Sequence, residues 1–194
     1  MDTVVLKDNI TSRLTDEEFF QFCIQNKDLR IERNSQLQIL IMSPVSTKSN
    51  YSSGAVFAQL YMWSIVDNNG FAFDSSTGFT LPDRSVLSPD ACWISKERWN
   101  TVSEVDKDRF APICPEFVVE VRSKSDDLCN LKVKMTNWIS NGALLAWLVD
   151  PIEKATYIYR PGAPEQKLEG FERKIAGEGL VTGFELNLAH LLRI

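Results

Sequence analysis

The chain has 194 residues, so one domain over residues 1–194 is the starting expectation. Hydrophobic residues make up 44% and charged residues 24%, with 9 Gly and 8 Pro, which excludes collagen-like, coiled-coil and disordered classes. Lys and Arg number 21 against 26 Asp and Glu, a net charge of −5, so any polyanion has to meet a local basic patch. The single histidine, His190, leaves little room for a multi-His metal centre or a Ser/His/Asp triad. Carboxylates and lysines are left to carry any catalysis.

Cys23, Cys92, Cys114 and Cys129 form no C-x-x-C pair and have no zinc-like spacing, so they read as scattered small hydrophobes. The N-terminus has no apolar core after basic residues, and the longest apolar run, Ala143–Val149, is far short of the roughly 20 residues that span a bilayer. A reduced, cytoplasmic protein without membrane association is expected.

In chain order, Thr15-Asp16-Glu17-Glu18 has the capping-box form and predicts a helix from Thr15 to Gln25. LRIER and QLQILIM flank Asn34-Ser35 and predict a hairpin that ends at Ser43-Pro44, with Glu32 on its first strand. Val56, Phe57, Leu60, Tyr61, Trp63 and Ile65 recur at helical spacing between Ser46 and Asn68-Asn69-Gly70, which predicts a long helix packed on a sheet. FAFD, GFTL and ACWIS are short strand-like pieces, and the charged stretch from Lys96 to Arg109 reads as a small helix plus a loop. Phe117-Val118-Val119 predicts a central strand buried on both faces. Ser125-Asp126-Asp127 supplies a cap and a negative first turn to a helix carrying Leu128, Leu131, Met135, Trp138 and Ile139, up to Asn141-Gly142. ALLAWLVDP and TYIYR continue as strands, followed by shorter pieces broken by Pro161-Gly162 and Gly177–Gly179. The βαβ order with flanking hairpins indicates an α/β domain with a mixed sheet.

Two carboxylates stand out because an unpaired buried acid is costly: Asp90 at the mouth of ACWIS, and Glu120 inside FVVEV. Alternation along a strand puts Glu120 and Arg122 on one face, which gives the acid a cationic neighbour. If the two strands are adjacent, Asp90, Glu120 and the Val121 carbonyl form an oxygen-rich site of the kind that suits Mg²⁺ or Mn²⁺ and phosphodiester hydrolysis. Lys134 on the next helix is the first choice for the lysine that orients water or stabilises charge, and Lys124 the second. The competing readings are a structural ion pair for Glu120, a turn residue for Asp90, a solvated helix residue for Lys134 and a surface hairpin residue for Glu32. Trp93, Trp138 and Trp147 read as core, Asp150-Pro151 as a turn, and His190 is assigned no role.

Pro89-Asp90, the run Pro115-Glu116-Phe117-Val118-Val119-Glu120-Val121-Arg122-Ser123, Ser125-Asp126, Lys134, Trp138, Gly142 and Trp147-Leu148-Val149-Asp150-Pro151 together resemble the Uma2 family of endonucleases. That family, formerly a domain of unknown function, belongs to the PD-(D/E)XK restriction-endonuclease-like superfamily. The stretch RIERNSQLQILIMSP from Arg30 is similar to the family's hairpin, with its acid at Glu32, and the resemblance is strongest over 14–151.

The resemblance implies a restriction-endonuclease-like mixed β-sheet flanked by α-helices, with an N-terminal helix and hairpin, and homodimers. It makes Asp90 the acid of the PD motif, Glu120 the acid of (D/E)XK and Glu32 an upstream acid that joins the metal site. Arg122 stands where the motif has lysine and is too basic to give up a proton, and the family's lysine, displaced to the helix, falls on Lys134.

The expected function is a Mg²⁺- or Mn²⁺-dependent endonuclease acting on DNA. A basic cluster of Arg98, Lys107, Arg109, Arg122, Lys124, Lys132 and Lys134 would bind the DNA with a steep salt dependence. Arg122, Lys124 and Ser123 are the candidate phosphate contacts, the last two beside a helix N-terminus. The alternatives are a catalytically silent nuclease-fold module that binds nucleic acid or protein, and a hydrolase of smaller phosphoesters.

Overall fold

The computed structural model describes residues 3–6 and 14–193. After a short strand β1 (Thr3–Val5), helix α1 (Asp16–Gln25) opens on a complete capping box. The Thr15 hydroxyl accepts the Glu18 N–H at 3.2 Å, and the Glu18 carboxylate accepts the Thr15 N–H at 2.8 Å. The hairpin of β2 (Arg30–Arg33) and β3 (Ile39–Met42) is antiparallel with Glu32 opposite Leu40, and Asn34 Oδ1 closes its turn by accepting the Gln36 and Gln38 N–H groups. Helix α2 (Thr47–Asp67) is capped by Ser46 and ends at Asn68, whose φ of 55° takes the chain out of the helix.

There follow β4 (Gly70–Asp74), β5 (Phe79–Thr80), β6 (Val86–Leu87), β7 (Ala91–Ser95), α3 (Lys96–Trp99), α4 (Glu104–Lys107) and β8 (Phe117–Val121). Then come α5 (Leu128–Ser140), β9 (Leu145–Asp150), β10 (Ala155–Tyr159), β11 (Gln166–Glu169), β12 (Lys174–Ala176) and β13 (Glu185–Asn187), with 3₁₀ turns at Gly179–Val181 and Leu188–Leu192.

The six-stranded sheet has the order β11-β10-β9-β8-β7-β4. Its one parallel pair, β8 with β9, is joined by the crossover helix α5, and the sheet is mixed as expected. Every residue of β8 is buried because both faces are covered. On one face Phe117, Val119, Trp147 and Val149 pack with Val56 and Leu60 of α2 and with Phe184 and Leu186 of the C-terminal segment. On the other, Cys92, Ile94, Val118 and Leu148 pack with Met135 and Trp138 of α5. Alternation along β8 assigns Glu120 to the α5 face. Gly70 is required where β4 crosses the sheet, since a Cβ there would lie 2.2 Å from the Trp93 indole.

The hairpin belongs to a second, antiparallel sheet of order β1-β3-β2-β6-β5, with Phe19, Ile39 and Val86 in its core. The two-residue strand β6 that links the hairpin to β5 is too short for periodicity to reveal. The charged stretch after β7 forms two short helices rather than one. Asp127 is the cap of α5, accepting the Asn130 N–H at 2.9 Å, and the first turn carries no acid, which corrects the expected negative first turn. Cys92 and Cys114 are buried as expected and burial pushes both thiols up, Cys114 to about 12, whereas Cys129 is exposed. Among the described residues no helix is long and apolar enough to cross a membrane.

Candidate active site

The antiparallel register sets Ala91 opposite Val119, so Asp90, one residue before β7, stands beside the end of β8. Its Oδ2 accepts the Val121 N–H at 2.8 Å. The second sheet brings Glu32 from β2, whose Oε1 accepts the Ser88 N–H at 3.0 Å. Lys134, midway along α5, joins the two sheets: its Nζ lies 2.9 Å from Glu120 Oε1 and 3.3 Å from Glu32 Oε1. One turn further on, Trp138 Nε1 donates to the same Glu120 oxygen at 2.9 Å. Glu32, Asp90, Glu120, Val121 and Lys134 line a cleft of about 310 Å³ that also exposes Arg30 and Asn137, with Trp138 fully buried behind it.

Glu32 is therefore not a surface hairpin residue, nor Lys134 a solvated one: their side chains are 5% and 20% exposed. Burial pushes the Glu120 carboxyl up to about 7; Lys134 opposes that shift, and Asp90 and Glu32 add to it. Burial also raises Asp90, against the Val121 N–H and the cations Arg30 and Lys134. For Lys134, burial works against the charge, but Glu120 and Glu32 outweigh it and hold the ammonium above the ordinary lysine range. Lys134 is thus a fixed cation that can stabilise negative charge or orient a water molecule, and it is poorly suited to accept a proton.

Asp90 and Glu120 each keep one oxygen, Oδ1 and Oε2, that accepts no hydrogen bond among the described residues. With the Val121 carbonyl this is an all-oxygen donor set, the kind that hard divalent cations take. Among the described residues no three His, Cys, Asp or Glu side chains lie close enough to enclose an ion by themselves. The fit is to an ion such as Mg²⁺, which keeps several positions for water and substrate phosphate.

The expected pairing of Arg122 with Glu120 is corrected. Arg122 Nη1 lies 2.7 Å from Asp150 Oδ2 and 3.8 Å from Glu153 Oε1. Strand β8 ends at Val121, so alternation no longer governs residue 122, and the fully buried Asp150 is the charge that the guanidinium neutralises. Ser123 lines the cleft, but its N–H is donated to Asp126 Oδ2 at 2.7 Å and its hydroxyl lies 3.1 Å from that of Ser125. Lys124 is exposed and does not line the cleft.

The expected basic cluster is also corrected. Lys107, Arg109, Arg122, Lys132 and Lys134 pair respectively with Glu104, Glu17, Asp150, Glu165 and Glu120, which neutralises most of the patch. Asp150-Pro151 is a turn as expected: Asp150 Oδ1 accepts the Ile152 and Glu153 N–H groups at 2.9 and 3.1 Å. Composition and motif did not single out Trp138 or Arg30 as site residues. Helical spacing from Lys134 and strand spacing from Glu32 were the available signals.

A mixed sheet flanked by helices on both faces is the architecture of a restriction-endonuclease-like protein. The model of the Uma2 family, described as "Putative restriction endonuclease", matches residues 16–189, and the chain belongs to that family. Among solved structures, "a putative nuclease belonging to DUF820" from Anabaena variabilis ATCC 29413 superposes with a TM-score of 0.73 at 17% identity, over 92% of this chain and 97% of that one. At that identity the likeness shows a shared fold. None of the curated proteins matches the chain.

Proposed function

We propose that the protein is a Mg²⁺- or Mn²⁺-dependent endonuclease that hydrolyses DNA phosphodiester bonds, acting as one domain over residues 1–194 and as a homodimer in the cytoplasm. The observation that carries this reading is the convergence of Asp90, Glu120 and Lys134 from three elements at one cleft. Asp90, Glu120 and the Val121 carbonyl would hold the ion, which when bound polarises the scissile phosphate and lowers the pKa of water.

The chain's own side chains do the rest. The Lys134 ammonium, held by Glu120, by Glu32 and at 3.5 Å by the Ser88 carbonyl, places a fixed positive charge that stabilises the charge developing on the phosphoryl oxygens, and exchanging its long Ser88 contact lets it orient a water molecule. Glu32 keeps that ammonium in place, and Trp138 holds Glu120 Oε1, which leaves the second carboxylate oxygen for the ion. Arg122 does not act as a base.

A specific observation favours a second reading, a catalytically silent module. Lys134 already bridges two acids, and the motif's usual lysine position holds Arg122, which is committed to Asp150.

Nicking of supercoiled plasmid at low salt with Mg²⁺ or Mn²⁺ separates the two. Cleavage by the wild type, lost in Asp90→Ala and Glu120→Ala and reduced at least about 100-fold in Lys134→Ala, is the expected result. Cleavage indifferent to all three substitutions marks a contaminant. No cleavage by any form, with no calorimetric heat from divalent ions, establishes the silent module.

A further inference from the structure

The two arginines of strand β2 each bury one guanidinium nitrogen that has no acceptor, Arg30 Nε and Arg33 Nη1, but differ in their ion pairs. Arg33 is fully enclosed and held by Asp16, by the Arg84 carbonyl at 2.9 and 3.1 Å, and by the Phe19 ring at 4.7 Å, which makes it part of the packing beneath α1. Arg30 lies three residues earlier, on the strand face that carries Glu32, and lines the cleft. Its Nε is shut off from solvent and donates to nothing. The guanidinium forms no ion pair among the described residues, although its field already acts on Asp90.

The cleft's other lining cation, Lys134, is engaged by Glu120 and Glu32. Arg30 as a whole is half-buried, and its two terminal amino groups, which make no hydrogen bond among the described residues, are the donors open to an acceptor that arrives in the cleft. The planar fork matches the two non-bridging oxygens of a phosphate.

We infer that Arg30 is the phosphate anchor of this cleft, binding a nucleic-acid phosphate beside the Asp90–Glu120 pair. The choice of phosphate as ligand rests on the nuclease reading above. Arg30 supplies the fixed positive charge that the paired surface cations do not, and it acts on binding of ground state and transition state alike.

The test uses thymidine 3′,5′-bisphosphate, titrated calorimetrically in Ca²⁺ into the wild type, Arg30→Met and Arg30→Lys, alongside plasmid nicking. The expected result is binding weakened about tenfold or more in Arg30→Met and partly retained in Arg30→Lys. The nicking KM should rise with kcat nearly unchanged. If Arg30→Met does not fold, Arg30→Lys melting at the wild-type temperature decides the matter, because it keeps the charge and loses only the fork.

Wild-type affinity and KM in both folded variants, with nicking still abolished by Asp90→Ala, overturn the anchor and leave the nuclease reading intact. Arg30-dependent bisphosphate binding by a wild type that never nicks supports the anchor and overturns the nuclease. No bisphosphate binding by the wild type overturns the anchor.

Discussion

Glu120 ionises near 4.5 when unfolded and at about 7 in the folded protein, because burial, with Asp90 and Glu32 nearby, disfavours its charge more than Lys134 restores it. The folded state therefore binds the proton more tightly between those values. Its contribution to stability is complete below pH 4.5 and is lost as pH rises through 7, at up to about 1 kcal/mol per pH unit. Glu120→Gln removes that titration. Relative to the wild type, the variant should gain stability from pH 5 to about pH 7 and level off above it, and Trp138→Phe, which removes a donor to the charged form, should move the wild-type midpoint higher. Urea unfolding in EDTA at three pH values checks both, and a wild-type-minus-Gln difference that does not change with pH would refute the account. Glu120 was legible because an acid among β-branched hydrophobes is costly unless it has a purpose, and Asp90 because it follows Pro89 at the mouth of a buried strand. Trp138 was not, because an indole on an apolar stripe reads as packing, and only the docking of α5 decides where its N–H points.

At the scale of elements, the ends of β8 and β9 are tied together by Arg122 and the fully buried Asp150. Arg122→Gln leaves Asp150 with only its backbone donors and should destabilise the fold by roughly 2–5 kcal/mol. Chemical denaturation measures that loss. In the proposed mechanism the folded variant nicks plasmid at the wild-type rate in the cold, and a collapse of kcat in a demonstrably folded Arg122→Gln would return Arg122 to the catalytic machinery. Helix boundaries were readable wherever a side chain satisfies an end: Thr15 with Glu18, Ser46, Asp127, and Gly142 at φ 111°. The extended pieces β5 and β6 were less so, since two residues held by a neighbouring strand carry no period of their own.

Over the whole molecule the net charge is −5, and most of the cations expected to meet DNA are neutralised by acids of the same chain. The free positive charge that remains at or near the cleft is small, chiefly Arg30 and the exposed Lys124. A duplex should therefore be bound weakly, with log K falling against log[salt] by a slope of about −2 to −3 in place of the steep dependence that the unpaired cluster implied. Binding measured between 50 and 200 mM salt in Ca²⁺ checks this, and a slope steeper than about −6 would mean that the surface ion pairs open to the phosphates.

The sequence by itself determined the mixed α/β class, the central buried strand, the crossover helix, the family and the two carboxylates. Each of these is written in local physics: the period of apolar residues, the chemistry of helix ends, and the cost of a charge inside a hydrophobic run. Only the tertiary structure decided which cation meets which acid. Lys134 and Glu120 are separated along the chain by a turn and half a helix, and Lys134 and Glu32 by 102 residues, about half the chain. Arg122, the nearest cation in sequence to Glu120, turns instead to Asp150, because β8 stops one residue before it.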